Sequence, residues 1–188
     1  MSEADLSGRR VLVIATNYGV EQDELVVPVE HLRERGAEVD IAAVSDDAIE
    51  TLVGDKDPGK TVTPTTTLST LDPSAYDLLV VPGGTINADQ LRLDDDAVRI
   101  VSVFASDGRP IAAICHGPWA LVEADAVAGR RLTSYASLQA DIRNAGATWV
   151  DEAVVVDDSR RPTVITSRTP KDLDDFLREV DATLAAHS

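Results

Sequence analysis

Short apolar segments alternate with amphipathic helical segments along this 188-residue chain, and this alternation is what most constrains the fold. Residues 10–15, 76–81 and 109–114 have the length and continuous apolar character of strands buried on both faces. Residues 24–35 and 94–107 carry apolar side chains at helical spacing, and a glycine follows each segment. The pattern predicts an α/β three-layer sandwich, with a mostly parallel central sheet and helices on both faces.

The remaining segments fit the same single domain, predicted over residues 1–188. Residues 45–70 contain scattered glycines and prolines and are predicted to form a loop with at most short strands. Further elements are predicted as a strand at 38–44, a strand at 132–135, a helix at 137–145, strands at 153–157 and 163–167, and a last helix at 171–185.

The composition is strongly acidic, with a net charge of −16, and aspartate (23) outnumbers glutamate (10). Such a surface repels nucleic acid and anionic membranes, so neither is expected as a partner. The first residues carry no apolar signal segment, which predicts a cytoplasmic protein. With only three lysines, the composition resembles that of proteins from salt-loving organisms, although a high-GC genome also depletes lysine.

The only cysteine, Cys115, directly follows the strand predicted at residues 109–114 and precedes a helical pattern that begins at Trp119. A single cysteine excludes an intramolecular disulfide. A thiol at a strand-to-helix turn meets free backbone N–H groups and the helix dipole, which favour the thiolate. This placement predicts a reactive cysteine with a lowered pKa; the alternative is a small buried core residue.

Two further turns follow predicted strands at the same edge of the sheet, where open α/β folds bind their ligands. One contains Gly83 and Gly84, whose backbone N–H groups could face an oxyanion, although a glycine pair is also common in plain tight turns. The other contains Glu21, which either starts a helix or, beside a thiol, stays protonated and donates a hydrogen bond to it.

Other chemistries have little support. His31, His116 and His187 show no zinc-ligand spacing, His31 fits a helix surface and His187 a frayed tail. Phosphate-binding and dinucleotide-binding glycine patterns are absent, as is the Gly-x-Ser-x-Gly of serine hydrolases. We therefore expect no metal and no cofactor.

The sequence Ala-Ile-Cys-His-Gly-Pro at residues 113–118 resembles the nucleophile signature of the PfpI family, within the superfamily that includes the Parkinson-disease deglycase. Further matches follow in the same order, at the Glu21 segment, residues 81–84, 133–135, 144–151 and 167–170. The resemblance covers about residues 9–185 and implies a flavodoxin-like fold, similar to that of class I glutamine amidotransferases.

The resemblance also implies roles for individual residues. Cys115 would be the nucleophile with His116 as its partner, and Glu21 would contact the sulfur. The backbone N–H groups of Gly84 and His116 would form the oxyanion hole.

The pocket and the third member of a triad are implied in the same way. Gly83 and Tyr135 would line the substrate pocket. In peptidase-like members a glutamate from the neighbouring subunit completes a triad after the Pro-Gly-Gly turn. Here the nearest acid is Asp89, which is shorter than glutamate and lies in a segment that is one residue longer.

Several functions are compatible with these residues. Thiolate addition to an aldehyde gives a hemithioacetal, so reactive carbonyls such as methylglyoxal, or their adducts, are the leading substrates. Peptide hydrolysis and a non-enzymatic role as a redox sensor or chaperone, through oxidation of Cys115, remain open. A glutamine amidotransferase is disfavoured because no histidine lies between His116 and His187. The resemblance implies self-association as a homodimer or a hexamer.

Overall fold

The computed structural model describes residues 5–186 of the chain. The strands are β1 (Arg10–Ile14), β2 (Tyr18–Glu21), β3 (Glu38–Ala43), β4 (Ile49–Val53), β5 (Asp57–Val62), β6 (Thr66–Thr67), β7 (Leu78–Val81), β8 (Ile111–Ile114), β9 (Arg131–Leu132), β10 (Thr148–Trp149), β11 (Val154–Asp157) and β12 (Val164–Ser167). The helices are α1 (Gln22–Glu34), α2 (Thr85–Leu91), α3 (Asp95–Asp107), α4 (Pro118–Glu123), α5 (Gln139–Asn144) and α6 (Leu173–Ala186).

The central sheet has seven strands in the order β11-β12-β8-β7-β1-β3-β6. All neighbouring pairs are parallel except β11 and β12. Two small sheets, β2-β4-β5 and β9-β10, lie beside it. The carboxyl ends of β1, β7 and β8 are therefore adjacent, and the turns that follow these strands meet at one edge.

Both faces of the sheet are buried, which explains why its strands are apolar throughout. Val11 and Val13 of β1 pack into one core layer with α1 and α6, while Leu12 and Ile14 pack into the other layer. Phe104 of α3 is fully buried in that second layer. The structure confirms the predicted three-layer α/β sandwich.

Some elements differ from the sequence-based prediction. Residues 45–70 contain β4, β5 and β6, and most of β5 is solvent-exposed, so it lacks the apolar signal of a strand. The predicted turn around Tyr18 forms β2, and α2 begins directly after Gly84. The strand predicted at residues 132–135 is limited to β9, because the chain then crosses the end of the sheet beside Cys115.

Candidate active site

Cys115 lies in a strained turn between β8 and α4. Its φ angle is +62°, in the left-handed region that side chains other than glycine rarely adopt. Two backbone hydrogen bonds hold the turn: the Cys115 N–H donates to the carbonyl of Ser167 at 2.9 Å, and the Tyr135 N–H donates to the carbonyl of Cys115 at 2.8 Å. The turn directs the thiol toward the loop between β7 and α2, and it lies between a strand and a helix as the sequence predicts.

Besides a carboxyl, three groups lie around the sulfur, and all come from the edge where the strands end. Sγ lies 3.2 Å from Nδ1 of His116. The backbone N–H groups of Gly84 and His116 donate to the sulfur. The structure thus brings together the two N–H groups that the sequence analysis assigned to an oxyanion hole.

The carboxyl against the sulfur belongs to Glu24, in the first turn of α1. Glu24 is fully buried and is hydrogen-bonded to the thiol of Cys115. Its Oε2 also accepts the N–H of Gly83 at 2.7 Å. Within residues 5–186, its Oε1 has no hydrogen-bond partner. A buried carboxyl oxygen without a partner fits the neutral acid, whose O–H can turn toward the sulfur beside it.

The assignment of this role to Glu21 was wrong. Glu21 precedes α1, and its carboxylate turns away to accept the N–H of Gly54 at 2.9 Å and the N–H of Asp55 at 3.3 Å. The two glutamates are three residues apart, but only Glu24 lies on the inward face of the helix. A sequence signal was available, since Glu24 is in phase with the buried positions Pro28 and Leu32.

Burial controls the protonation of this pair. It raises the pKa of Glu24 well above its usual value, although the Gly83 N–H and the thiol act in the opposite direction. Burial also raises the pKa of the Cys115 thiol, while the N–H groups of Gly84 and His116 lower it. The Glu24 carboxyl raises it further only when it is ionised. Burial of the thiol thus acts against the lowered pKa that the strand-to-helix turn by itself predicts.

Gly83 is required where three of these groups converge. A Cβ atom at this position would lie 2.6 Å from Oε2 of Glu24 and 2.8 Å from both Cβ of Cys115 and the backbone nitrogen of His116. Gly84 has a φ of +84°, and a Cβ there would lie 2.3 Å from the carbonyl oxygen of Gly19. The glycine pair thus permits close approach of backbone to the site, which the alternative of a plain tight turn does not explain.

The imidazole of His116 is buried between aromatic rings. It stacks on Tyr135 with 4.5 Å between ring centroids and meets Trp119 edge-on at 5.4 Å. Its Nε2 lies 3.3 Å from Oγ of Ser137 and 3.4 Å from Oγ1 of Thr85. Burial lowers the pKa of His116, and the nearby Asp55 charge opposes that effect. The resting imidazole is therefore neutral and able to accept a proton.

Tyr135 and Asp89 are the remaining side chains that the sequence assigned to the site. Tyr135 is partly exposed beside His116, and a cavity of about 330 Å³ next to it is lined by Arg168 and Lys171, among others. Asp89 is exposed on α2, where it accepts a hydrogen bond from its neighbour Gln90. Among residues 5–186 no hydrogen bond or ion pair joins it to His116 or Cys115, so it does not complete a triad within the chain.

Glu24, Asp55, Thr85 and Ser137 were not found by sequence reasoning. Asp55 lies in the β4–β5 turn and Thr85 is the first residue of α2. The contact between them depends on the β4–β5 hairpin, which the sequence analysis did not predict. Residues 5–186 include no cluster of three His, Cys, Asp or Glu side chains able to hold a metal ion. No helix in the same range is both long and apolar enough to cross a membrane.

Comparison with known proteins identifies the family. The sequence profile of the DJ-1/PfpI family matches residues 9–182. The chain belongs to the DJ-1/PfpI family. Its relatives include a deglycase of Thermococcus kodakarensis, 37% identical over 90% of this chain and 96% of the relative. Protein/nucleic acid deglycase 2 of Escherichia coli is 36% identical over 95% of this chain and 99% of the relative.

A solved structure supports the same relationship. DJ-1beta of Drosophila melanogaster superposes with a TM-score of 0.82 at 28% sequence identity, over 94% of this chain and 90% of that one. The Cys115 turn, the glycine pair and the buried glutamate thus occur on a scaffold that this family shares.

Proposed function

We propose that this DJ-1/PfpI family member is a cysteine-dependent enzyme that acts on reactive carbonyls, either methylglyoxal or its adducts, as a deglycase or glyoxalase. The observation that carries the proposal is the buried Glu24 carboxyl against the Cys115 thiol, with two backbone N–H donors beside them. Deglycase is also the name of relatives at 36–37% identity that match 90% or more of this chain.

The groups around the sulfur suit addition to an aldehyde. As the sulfur forms a bond to the carbonyl carbon, its proton passes to Nδ1 of His116, and the developing oxyanion lies within reach of the N–H groups of Gly84 and His116. Protonation of that oxygen gives a hemithioacetal. Glu24, which lies against the sulfur, can in its ionised form accept the proton from the carbon next to sulfur and return it to the neighbouring carbon.

Overall conversion of methylglyoxal then needs only water as a second reactant. The carbon that carries the sulfur loses its proton and the adjacent carbonyl carbon gains one, while the hydroxyl proton of the hemithioacetal passes to the former carbonyl oxygen. The product is a thioester of lactate. Water cleaves the C–S bond, so that lactate leaves and the thiol is restored. No oxidant, reductant or metal enters this balance.

Turnover of methylglyoxal and of a fluorogenic peptide, measured side by side, tests the proposal. We expect lactate formation by the native protein and none by Cys115→Ser or Cys115→Ala. Peptide hydrolysis without lactate formation would favour the intracellular peptidase. If neither substrate is turned over while Cys115 is oxidised to the sulfinic acid by peroxide, the redox-sensor role would replace the enzyme.

We further propose that the protein self-associates through the side of the site formed by the Pro-Gly-Gly turn and α2. Four exposed apolar side chains lie there, and we call them the α2 patch: Tyr18, Val44, Ile86 and Leu93. They line a depression of about 460 Å³ whose described lining includes one charged residue, Asp94. Two copies of this chain, each with a charge of −16, repel each other least where their surfaces carry few charges. The α2 patch is such a surface, and it is apolar, so we propose a second copy as its partner.

A further inference from the structure

The hydroxyl of Thr85 lies between a carboxylate and the imidazole of His116. Thr85 Oγ1 donates to Oδ2 of Asp55 at 2.6 Å, and the Thr85 N–H donates to Oδ1 of the same carboxylate at 2.7 Å. Oγ1 is also 3.4 Å from Nε2 of His116, whose Nδ1 is 3.2 Å from Sγ of Cys115. These contacts form a continuous chain from Asp55 to the sulfur.

The direction of the first hydrogen bond determines what the others can do. Because a carboxylate only accepts, the hydroxyl hydrogen of Thr85 points to Asp55 and its lone pairs remain for Nε2. This arrangement favours the imidazole tautomer with hydrogen on Nε2. The lone pair of Nδ1 then faces the thiol, as a base for Cys115 requires.

We propose that Asp55, acting through Thr85, is the positioning residue that keeps His116 in the tautomer able to take the thiol proton. In that step the S–H bond breaks, an N–H bond forms at Nδ1, and the resulting imidazolium is stabilised through Thr85 by the Asp55 charge. The inference rests on the proposed role of Cys115 as nucleophile. Asp55 would then be the third member of the triad and would come from the same chain. The sequence analysis instead named Asp89 for that position.

The fold holds Asp55 in place for this role. Asp55 lies in the turn between β4 and β5 with a φ of +58°, a strained backbone conformation for a residue other than glycine. The carboxylate of Glu21 accepts the N–H groups of Gly54 and Asp55 and so fixes that turn. Glu21 therefore acts on the site indirectly, through the position of Asp55.

Ser137 is the competing partner of the same nitrogen. Its Oγ lies 3.3 Å from Nε2 and has no other hydrogen-bond partner among the described residues. If its hydroxyl donates to Nε2, the hydrogen of the imidazole moves to Nδ1, which can then no longer act as a base. The two arrangements predict opposite tautomers, so the tautomer decides between them.

Nitrogen-15 NMR of the histidine-labelled full chain tests the proposal directly, since it distinguishes the two neutral tautomers. We expect hydrogen on Nε2 in the native protein and in Thr85→Ser, which keeps the hydroxyl. Thr85→Val and Asp55→Asn are expected to lose this preference, whereas Asp57→Asn, an exposed acid of the same hairpin, is expected to keep it.

The rate of Cys115 alkylation by iodoacetamide at neutral pH is the second readout. A loss of roughly tenfold is expected for Thr85→Val and Asp55→Asn, equivalent to a change of about one pKa unit. A native Nδ1–H tautomer, or unchanged tautomer and alkylation in both variants, would overturn the proposal. If Asp55→Asn does not fold, the pair Thr85→Val and Thr85→Ser decides.

Neither readout uses a substrate, so the role of Asp55 and the proposed function can be contradicted independently of each other. A native protein that shows the Nε2–H tautomer but does not turn over methylglyoxal would contradict the proposed function alone. A protein that forms lactate with the opposite tautomer would contradict the role of Asp55 alone.

Discussion

The carboxyl of Glu24 and the thiol of Cys115 form a hydrogen-bonded pair, and both side chains are buried at the edge of the central sheet. Burial raises the pKa of each group, so both the carboxyl and the thiol keep their protons more readily here than they would in water. When the thiol loses its proton, the neutral carboxyl donates to the sulfur without adding a second negative charge. The pair can thus form a thiolate despite its burial.

Replacement of Glu24 tests this arrangement through the reactivity of Cys115. Glu24→Gln keeps a neutral hydrogen-bond donor, whereas Glu24→Leu removes it, so the leucine variant should raise the thiol pKa more. We expect iodoacetamide alkylation at pH 7 to be at least roughly tenfold slower in Glu24→Leu than in Glu24→Gln. Asp23→Asn, on the exposed face of the same helix turn, is the control. Equal rates in the two Glu24 variants would show that the carboxyl does not act on the sulfur.

The raised pKa of Glu24 also predicts how stability depends on pH. Below about 4.5, the usual glutamate value, both the folded and the unfolded chain hold this proton. As the pH rises toward the higher pKa of the folded state, only the unfolded chain gains by releasing it, so this contribution to stability is lost. Glu24→Gln has no such loss. Urea unfolding between pH 5 and 8 should therefore show the variant gaining stability relative to the native protein, and a constant difference would contradict the shift.

Gly83→Ala is expected to damage the site through packing alone. The added methyl group would contact Glu24 and the backbone of His116 at 2.6 and 2.8 Å, a conflict that costs about 1–3 kcal/mol. It should also displace Glu24 and slow alkylation of Cys115. Gly129→Ala is the matched control: Gly129 has a φ of +76° with nothing within 4 Å of an added Cβ. Its strain of about 1–2 kcal/mol should leave alkylation unchanged. Thermal unfolding and the alkylation rate together measure both effects.

The sequence predicted the central sheet and the Cys115 turn because each depends on local pattern. Continuous apolar segments identified β1, β7 and β8, and the lone cysteine after β8 marked the strained turn. The carboxyl partner was missed because Glu21 ends β2 while Glu24 lies in the first turn of α1, and the sequence pattern does not show which of the two carboxyls faces the sulfur. Predicting Asp55 and Thr85 requires knowledge that the polar β4–β5 hairpin folds back onto the start of α2, which no residue in either segment indicates by its type.

The proposed self-association should depend on salt, because the copies carry a high negative charge. Exposed like charges repel over about 30 Å at 0.01 M salt and far less at high salt, so salt should favour the oligomer. Leu93, which is 71% exposed in the α2 patch, is the position where a charge should interfere most. We expect sedimentation in 2 M salt to show an oligomer for the native chain and a monomer for Leu93→Asp. Val156→Asp, on the edge strand β11, is the matched control and should associate like the native chain.

The variant Asp89→Asn distinguishes a catalytic role of Asp89 in the neighbouring subunit from a role in shaping the site or the interface. If Asp89 of one subunit assists the site of the next, its loss should reduce peptide cleavage more than aldehyde turnover, because only amide scission needs an additional acid for the leaving amine. Equal losses in both assays would restrict Asp89 to shaping the site or the interface. A native chain that is monomeric at both 0.1 M and 2 M salt would remove the shared-site arrangement, and the triad would then depend on groups of one chain.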